Sequence, residues 1–491
     1  MSDILYMISV CVNTQNEMNS NIPSVSASPW GQTLDPVLWM AKIHEQLQEL
    51  IQSPNTNMGH LEELLERQSR KLMRPILEQA AQKLIGRRPL NCPNCHRPLC
   101  VEDRGRKRVL DSTFGPVTIA RDYGWCAGCH DWFYPADLAL GLHGRAGASP
   151  RIQEICALMV ITSPAAQAQK NLRRITGHDL SPSTMHREAR RQGERAIQLR
   201  DTDIALSKLP GGVPALAARA KPPDAPFTLV IEIDAWNIRE RDDWGKSQQL
   251  RKKKIEPKRW HWVYVGTVFR LDQRGVTAGK RPVITQRGYV ATRKGLPSYE
   301  EQLYVEALQR GLLQAAKVLI IADGAVWIWN LAKDRFQDAT QRIDAYHVKE
   351  HLWTVAHDIY GEGTSESIQW ITPLLRYLDR RKDGALDVIE QLSSLRARLS
   401  HLTEKQQETL DREINYFDSH KDRMDYKRAK ALGEPIGSGA IESTCRQYQR
   451  RFKCMGQFWS LDGDESLMAL ETLHRNERWN KLFPHASTGP L

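Results

Sequence analysis

The sequence predicts an α/β catalytic domain built on a mixed sheet, broken by an all-helical insertion and preceded by small N-terminal modules. Three stretches carry that expectation. Residues 227–240 read FTLVIEIDAWNIRE, a mostly apolar run that leads into Asp234. With a side-chain period of two, Phe227, Leu229, Ile231 and Ile233 share one face of such a strand, and Val230, Glu232 and Asp234 the other. Residues 317–329, KVLIIADGAVWIW, deliver Asp323 in the same way, with Gly324 behind it. A carboxylate at the carboxyl end of a buried strand stands where open α/β sheets place their ligands. The third stretch, PIGSGAIESTCRQYQRRFK at 435–453, is a Gly-Ser-Gly turn opening a helix that carries Glu442.

The chain has 491 residues, enough for two to four domains with a substantial core. Its hydrophobic fraction of 41% and charged fraction of 26% are those of a globular protein. Sixty-nine Lys and Arg against 58 Asp and Glu leave a formal charge of +11, which favours a polyanionic partner, nucleic acid before anionic membrane. No apolar run approaches the ~18 residues of a membrane span. An acid, Asp3, stands where an export signal needs basic residues. Two C-x-x-C pairs among nine cysteines point to metal rather than disulfides in a reducing, cytoplasmic setting.

In chain order, residues 1–90 divide into a polar, poorly ordered start and a helical region, with Leu61, Leu64, Leu65, Leu72, Ile76 and Leu84 at helical spacing. Pro75 predicts a kink or a break there. Residues 91–148 place Cys92-Pro-Asn-Cys95 and Cys126-Ala-Gly-Cys129 on either side of a β-hairpin. That arrangement predicts a closed, tetrahedral Zn²⁺ ribbon, with His96, Cys100 and His130 as substitute ligands. Arg104, Arg106, Lys107 and Arg108 lean towards phosphate or form a solvated charge run.

Residues 149–200 have a helix-turn-helix outline: helices over 151–162 and 164–175, a Gly-containing turn, and a third helix capped by Ser181-Pro182. Thr184, Arg187, Arg190 and Arg191 on that helix are the candidate DNA contacts, an ordinary helical subdomain being the alternative. A Pro/Gly-rich linker is expected over 201–226. Residues 227–351 then read as strands and helices in the order βββαβ, with a short fifth strand and the start of a helix, acids ending the first and fourth strands. This is the ribonuclease-H-like outline. Between the first two strands, Arg251–Lys254, Lys258 and Arg259 alternate with Trp244, Trp260 and Trp262, a composition that suits nucleic acid or a charged loop. A helical insertion is expected over 352–431, with the core completed by helices over 432–491.

Two Mg²⁺ (or Mn²⁺) ions held by hard oxygen ligands can clamp the attacking and leaving oxygens of an in-line phosphoryl transfer. Asp234, Asp323 and Glu442 are the candidate ligands, and water or a DNA 3′-hydroxyl the nucleophile. Glu232 is a substitute acid, and Asp242 and Asp243 are weaker ones. On the Glu442 helix, Arg446, Gln449, Arg450 and Lys453 form a cationic stripe beside the acid, fit to follow a DNA backbone. The plain alternative for Glu442 is a first-turn acid that complements the helix dipole.

Taken together, IEIDAW, IIADGA and GSGAIEST resemble the DDE transposases of prokaryotic insertion sequences, in particular the Kra-type elements and their Mutator-like relatives, from Cys92 onwards. Asp344-Ala-Tyr-His347 is similar to the [C/D]-x-x-H signature many of them carry after the second aspartate, which implies a place for His347 beside the active site or on DNA. On the residues alone a hydrogen-bonded core histidine serves equally well. The resemblance implies metal-dependent cleavage at element ends and strand transfer into target DNA. It also implies recognition of terminal inverted repeats in double-stranded DNA by the N-terminal modules, a dimer or larger synapse, and a nucleoid location. The rival expectations are a DNA-binding regulator with an inactive transposase-derived domain, and a nuclease of the same fold.

Overall fold

The computed structural model describes residues 36–87, 89–142, 147–241, 245–256, 259–280, 282–399, 401–455 and 457–486. Asp242, Asp243, Trp244, Lys258 and the polar start of the chain lie outside them. The chain falls into two units, Met1–Val109 with Phe114–Leu140, and Leu110–Thr113 with Gly141–Leu491.

In the first unit, α1 (Pro36–Gln52) and α2 (Met58–Gly86) form a helical hairpin. Asn57 starts α2 by accepting from the His60 amide while its own N–H donates to His60 Nδ1, which satisfies two of the free amides at a helix start. The break falls at this cap and not at Pro75, which sits inside a continuous α2. One missing backbone bond in a helix of 29 residues is outweighed by the turns on either side. A three-stranded sheet follows, ordered β1 (Cys100–Ser112), β2 (Gly115–Cys126) and β3 (Asp131–Phe133), and then α3 (Pro135–Ala139). The helix α2 covers the flank of β2 that β3 is too short to reach. Gln82 both accepts from the Ala120 amide and donates to its carbonyl, and Glu78 accepts from the Thr118 amide. Side chains thus satisfy backbone groups that a further strand would have paired.

The second unit opens with α4 (Pro150–Thr162), α5 (Ala165–Thr176), α6 (Pro182–Ser207) and α7 (Gly212–Ala217). The three-helix outline lies where the sequence placed it, with Ser181 accepting from the Thr184 amide and Gly177 ending α5 at φ 70°. The expected linker over 201–226 is different. Its first residues complete α6, and α7 buries Leu216 and Ala217. Pro210, Gly211 and Gly212 stand at the turn between α6 and α7, and Pro222, Pro223 and Pro226 lie between α7 and the next strand.

Next come β4 (Thr228–Arg239), α8 (Ser247–Lys252), β5 (Trp260–Arg270), β6 (Arg274–Val276), β7 (Pro282–Ile284), β8 (Gly288–Thr292), α9 (Leu296–Gln309), β9 (Lys317–Ala322), α10 (Val326–Arg335) and β10 (Thr340–Ile343). Five of these strands make one mixed sheet, in the order β10-β9-β4-β5-β8. The central β4 runs antiparallel to β5 and parallel to β9. The stretch PVITQRGYVATR at 282–293, which the sequence predicts as the third of the βββαβ strands, is two: β7 pairs with β6 in a small ribbon, and only β8 joins the sheet.

Helices α11 (Ala345–Tyr360), α12 (Ser365–Arg380), α13 (Gly384–Arg398), α14 (Glu404–His420) and α15 (Tyr426–Ala431) form the insertion. The first of them starts at Ala345, directly after β10, where the sequence places the start of a helix. The chain closes with α16 (Gly439–Phe452) and α17 (Leu461–Arg475).

The period of two along β4 divides the core. Leu229, Ile231 and Ile233 join α9, α10 and the insertion helices in one apolar cluster. On the other face Val230 meets Leu319, Ile321 and Ala440, while Trp236, Ile238, Val263 and Val265 pack with α4–α6, α16 and α17. Gly193 lets α6 and α17 meet closely, because a Cβ there would strike the carbonyl of Ser466. The helix-turn-helix outline is thereby built into the core of this unit.

Candidate active site and metal centre

The parallel register pairs Thr228–Glu232 of β4 with Lys317–Ile321 of β9. Two residues further on stand the aspartates. Asp323 directly follows β9, while Asp234 lies beside it within β4, which runs on to Arg239 paired with β5, so Asp234 is not the strand end that the sequence predicts. Asp234 is half-buried; Oδ1 accepts from the Ala235 amide at 2.7 Å, and Oδ2 from the Cys445 thiol at 3.4 Å. Burial pushes its pKa up, with the charge of Asp323 adding to that, while the Ala235 amide, Cys445 and His347 pull it back. Asp323 Oδ1 accepts from the Ala325 amide at 3.0 Å, and its carbonyl accepts from Tyr416 of α14 at 3.3 Å. Gly324 turns the chain here at φ 109°, and a side chain in its place would meet the Tyr416 ring at 3.2 Å.

Two buried acids bring α16 to this sheet end. Glu232, 1% exposed, accepts from the Ile441 amide at 2.8 Å. Burial drives its carboxyl up to about 8, against the pull of that amide and of Arg287. Glu232 therefore holds the helix start and is no substitute ligand. Asp344, with no exposed surface, caps α11 through the Tyr346 and His347 amides. Its other oxygen accepts from the Ser438 amide at 2.5 Å and from the Ser438 hydroxyl. The loop before α16 is tied further by Glu434, bonded to Lys317 of β9 and Arg342 of β10.

The helix therefore lays Ile441, Cys445 and Tyr448 inward, with Cys445 against Asp234. Glu442 lies in its first turn, 40% exposed and paired with Arg446 at 3.1 Å. The structure thus aligns the two aspartates and carries Glu442 to within a turn of the Asp234 contact. Among the described residues the four cysteines form a group placed to share a metal ion, and the three acids do not form such a group. His347 is partly exposed beside Glu350 at 3.2 Å, and close enough to Asp234 for its charge to favour the ionised carboxylate.

The candidate DNA contacts divide. Arg446 and Arg450 are exposed on α16, and the Lys453 ammonium lies 5.1 Å over the Trp236 ring. On α6, Arg187 is exposed and Thr184 partly so, while Arg190 is shared between Glu194 and Asp462. Arg191 is turned inward in effect: both oxygens of Glu188, 1% exposed, hold its guanidinium. The sequence reading missed Tyr416 and the double grip of Asp344. Only the Asp344 helix cap had a local signal; the partners of both residues lie more than ninety positions away.

In the first unit Cys92, Cys95, Cys126 and Cys129 place their sulfurs within 4.8 Å of one another. The distances Cys92–Cys129 of 3.7 Å and Cys95–Cys126 of 3.3 Å approach the ~3.8 Å edge of a tetrahedron with 2.3 Å metal–sulfur bonds. Two matching turns build the set. The His96 amide bonds to the Cys92 carbonyl and the His130 amide to that of Cys126, and both histidines take positive φ. The four sulfurs could hold a metal ion such as zinc. His96, His130 and Cys100 are outside the cluster, which is complete without them.

Fold and site together define a mixed α/β protein with paired aspartates on adjacent strands and a four-cysteine cluster fit for a metal. No family model matches the chain. It is similar to a UPF0236 protein in the vanSb 3′ region of Streptococcus gallolyticus, 25% identical over 382 residues, which cover 76% of this chain and 74% of that protein. No helix among the described residues is long and apolar enough to cross a membrane.

Proposed function

We propose that the chain is a DDE transposase that cleaves DNA at the ends of an insertion sequence and joins them to target DNA. The observation that carries this reading is the alignment of Asp234 with Asp323 on adjacent parallel strands, with α16 held against them by Glu232 and Asp344. The strand order, with one antiparallel strand beside the centre, fits a ribonuclease-H-like sheet. The donor set fits hard divalent cations: it is all carboxylate, and two of its members are like charges side by side, an arrangement that a cation relieves. Asp234, Asp323 and Glu442 would hold Mg²⁺ or Mn²⁺, which when bound supplies a Lewis acid for in-line phosphoryl transfer. Glu442 is free to turn from Arg446, because an exposed pair of this kind is worth only about 0–1 kcal/mol. Arg446, Arg450 and Lys453 would neutralise backbone phosphates of double-stranded DNA, and Arg187 and Arg190 those of a terminal repeat. The four cysteines would form a zinc ribbon. A dimer or larger assembly would bring two ends together.

The test uses purified protein, labelled DNA carrying the element ends, and Mg²⁺ or Mn²⁺. Nicked and joined products that vanish with Asp234→Asn are expected. A second reading, a DNA-binding regulator with an inactive domain, has on its side the three acids' lack of convergence. Specific binding without cleavage in either metal would establish it in place of the first. Cleavage that survives Asp234→Asn would refute the site as drawn.

A further inference from the structure

At the opposite end of the sheet from the aspartates, a cavity of about 280 Å³ is lined by six cationic side chains: Arg219, Lys221, Arg270, Arg310, Arg478 and Lys481. They converge from separate parts of the chain. Arg219 and Lys221 precede β4, Arg270 ends β5, Arg310 follows α9, and Arg478 and Lys481 follow α17. Arg270 pairs with Leu229, five residues before Asp234, which puts the cavity floor about 17 Å from that acid along the strand.

Three carboxylates offset these six cations. Asp203 meets Arg219 at 2.7 Å and Lys481 at 3.8 Å; Asp272 meets Arg270 at 2.5 Å; Glu306 meets Arg478 at 2.6 Å and Arg310 at 2.9 Å. Burial together with the neighbouring charges of Arg478 and Arg219 depresses the Lys481 ammonium, as expected where cations outnumber their counter-ions. Arg270 is 4% exposed, with its guanidinium 4.0 Å from the Phe227 ring, so it forms a fixed floor and not a solvated tip. Lys221 stands exposed at the rim, with no ion pair among the described residues. The remaining lining is amide, including Gln286 and Gln309. Among the described residues no aromatic side chain lines the cavity as a wall on which a base could stack. A surplus of fixed cations with amide donors and no stacking wall suits phosphate oxygens.

Gln286 and Arg310 also border a second cleft of about 240 Å³, which adds Arg287, Arg475, Tyr289, the acid Glu477, and Ser443 and Gln447. The last two stand on α16, with Ser443 next to Glu442 in sequence. A polar, cation-bearing path thus leads from the candidate catalytic helix to the cavity.

We propose that this cavity binds phosphate groups, as a seat remote from the acidic site. The path to α16 favours the backbone of a nucleic acid as the source, a refinement that rests on the nucleic-acid reading above. A free diphosphate is the other source of the same chemistry. The test compares full-length wild type with Lys221→Glu and with Lys221→Glu/Lys481→Gln. One arm follows a labelled 30-base-pair duplex by anisotropy across salt, and the other the rise in melting temperature with millimolar pyrophosphate. For a backbone seat the double variant binds the duplex about tenfold more weakly, and its slope of log Kd against log salt falls by about two. The pyrophosphate shift is lost as well. Loss of the pyrophosphate shift with duplex binding unchanged, or with no duplex bound even by wild type, assigns the seat to free phosphates; in the second case the nucleic-acid reading fails while the pocket stands. If wild type shows no response to either probe, or Lys221→Glu and the double variant respond as wild type does, the proposal is overturned. Lys221→Glu, at an exposed rim position, keeps the comparison valid should the double variant fold poorly.

Discussion

Replacing Asp344 by Asn is a sharp test of how α16 is positioned. The change keeps size and shape but turns one carboxylate oxygen into an NH₂ group. The Oδ1 position can still cap α11 through the Tyr346 and His347 amides. The Oδ2 position cannot, because its partner is the Ser438 N–H at 2.5 Å, and two donors would then face each other. The Ser438 hydroxyl can rotate to accept, but the amide cannot. Ser438 is 3% exposed, so water does not replace the lost acceptor. Flipping the side-chain amide merely moves the clash to the α11 cap. One charge-assisted bond is lost and one buried N–H orphaned, a destabilisation of about 2–4 kcal/mol. Denaturant unfolding of wild type and Asp344→Asn measures it, and hydrogen exchange over 436–445 should quicken locally. On the proposed transposase reading, metal-dependent cleavage should fall with it, since Glu442 rides on the same turn. A variant as stable as wild type, with unchanged exchange over that segment, would refute the argument that Asp344 anchors the helix.

Glu232→Gln tests the second anchor. The folded carboxyl is raised from 4.5 to about 8, so it is protonated across that window while the unfolded chain is ionised, and stability is lost as pH rises through it. Gln removes this loss and keeps an acceptor for the Ile441 amide. The variant should melt several degrees higher than wild type at pH 8 and alike at pH 4.5, the ceiling being about 4–5 kcal/mol at 1.36 kcal/mol per pKa unit; equal melting at pH 8 counts against it. For the cysteine cluster, metal analysis should find one zinc per chain, and none after Cys126→Ser. Chelation should lower the melting temperature of wild type alone. Full zinc retention in Cys126→Ser would exclude the four-sulfur site.

Much of this molecule was written locally. The period of two in FTLVIEID set which β4 residues face each core, and Ser181 marked its helix start, because capping and pleating depend on neighbours in sequence. The C-x-x-C pairs announced their cluster, since each turn is complete within a few residues of its own chain. Other expectations failed where long-range packing decides. Pro75 passes through a continuous helix, and the Pro/Gly-rich stretch holds a buried one, because tertiary contacts override single-residue propensities. The doubled strand at 282–292 depended on which partners β7 and β8 found.

The sequence by itself determined the strands that carry Asp234 and lead to Asp323, the helix carrying Glu442 and the cysteine turns. Only the tertiary structure decided that β4 and β9 lie parallel and in register, setting Asp234 beside Asp323. It alone assigned Glu232 and Asp344 to holding α16, and it alone gathered Arg219, Arg270, Arg310 and Arg478 around one cavity. The reason is physical. A buried charge acquires its role from whatever partner folding brings to it, and here those partners come from as far as two hundred residues away along the chain.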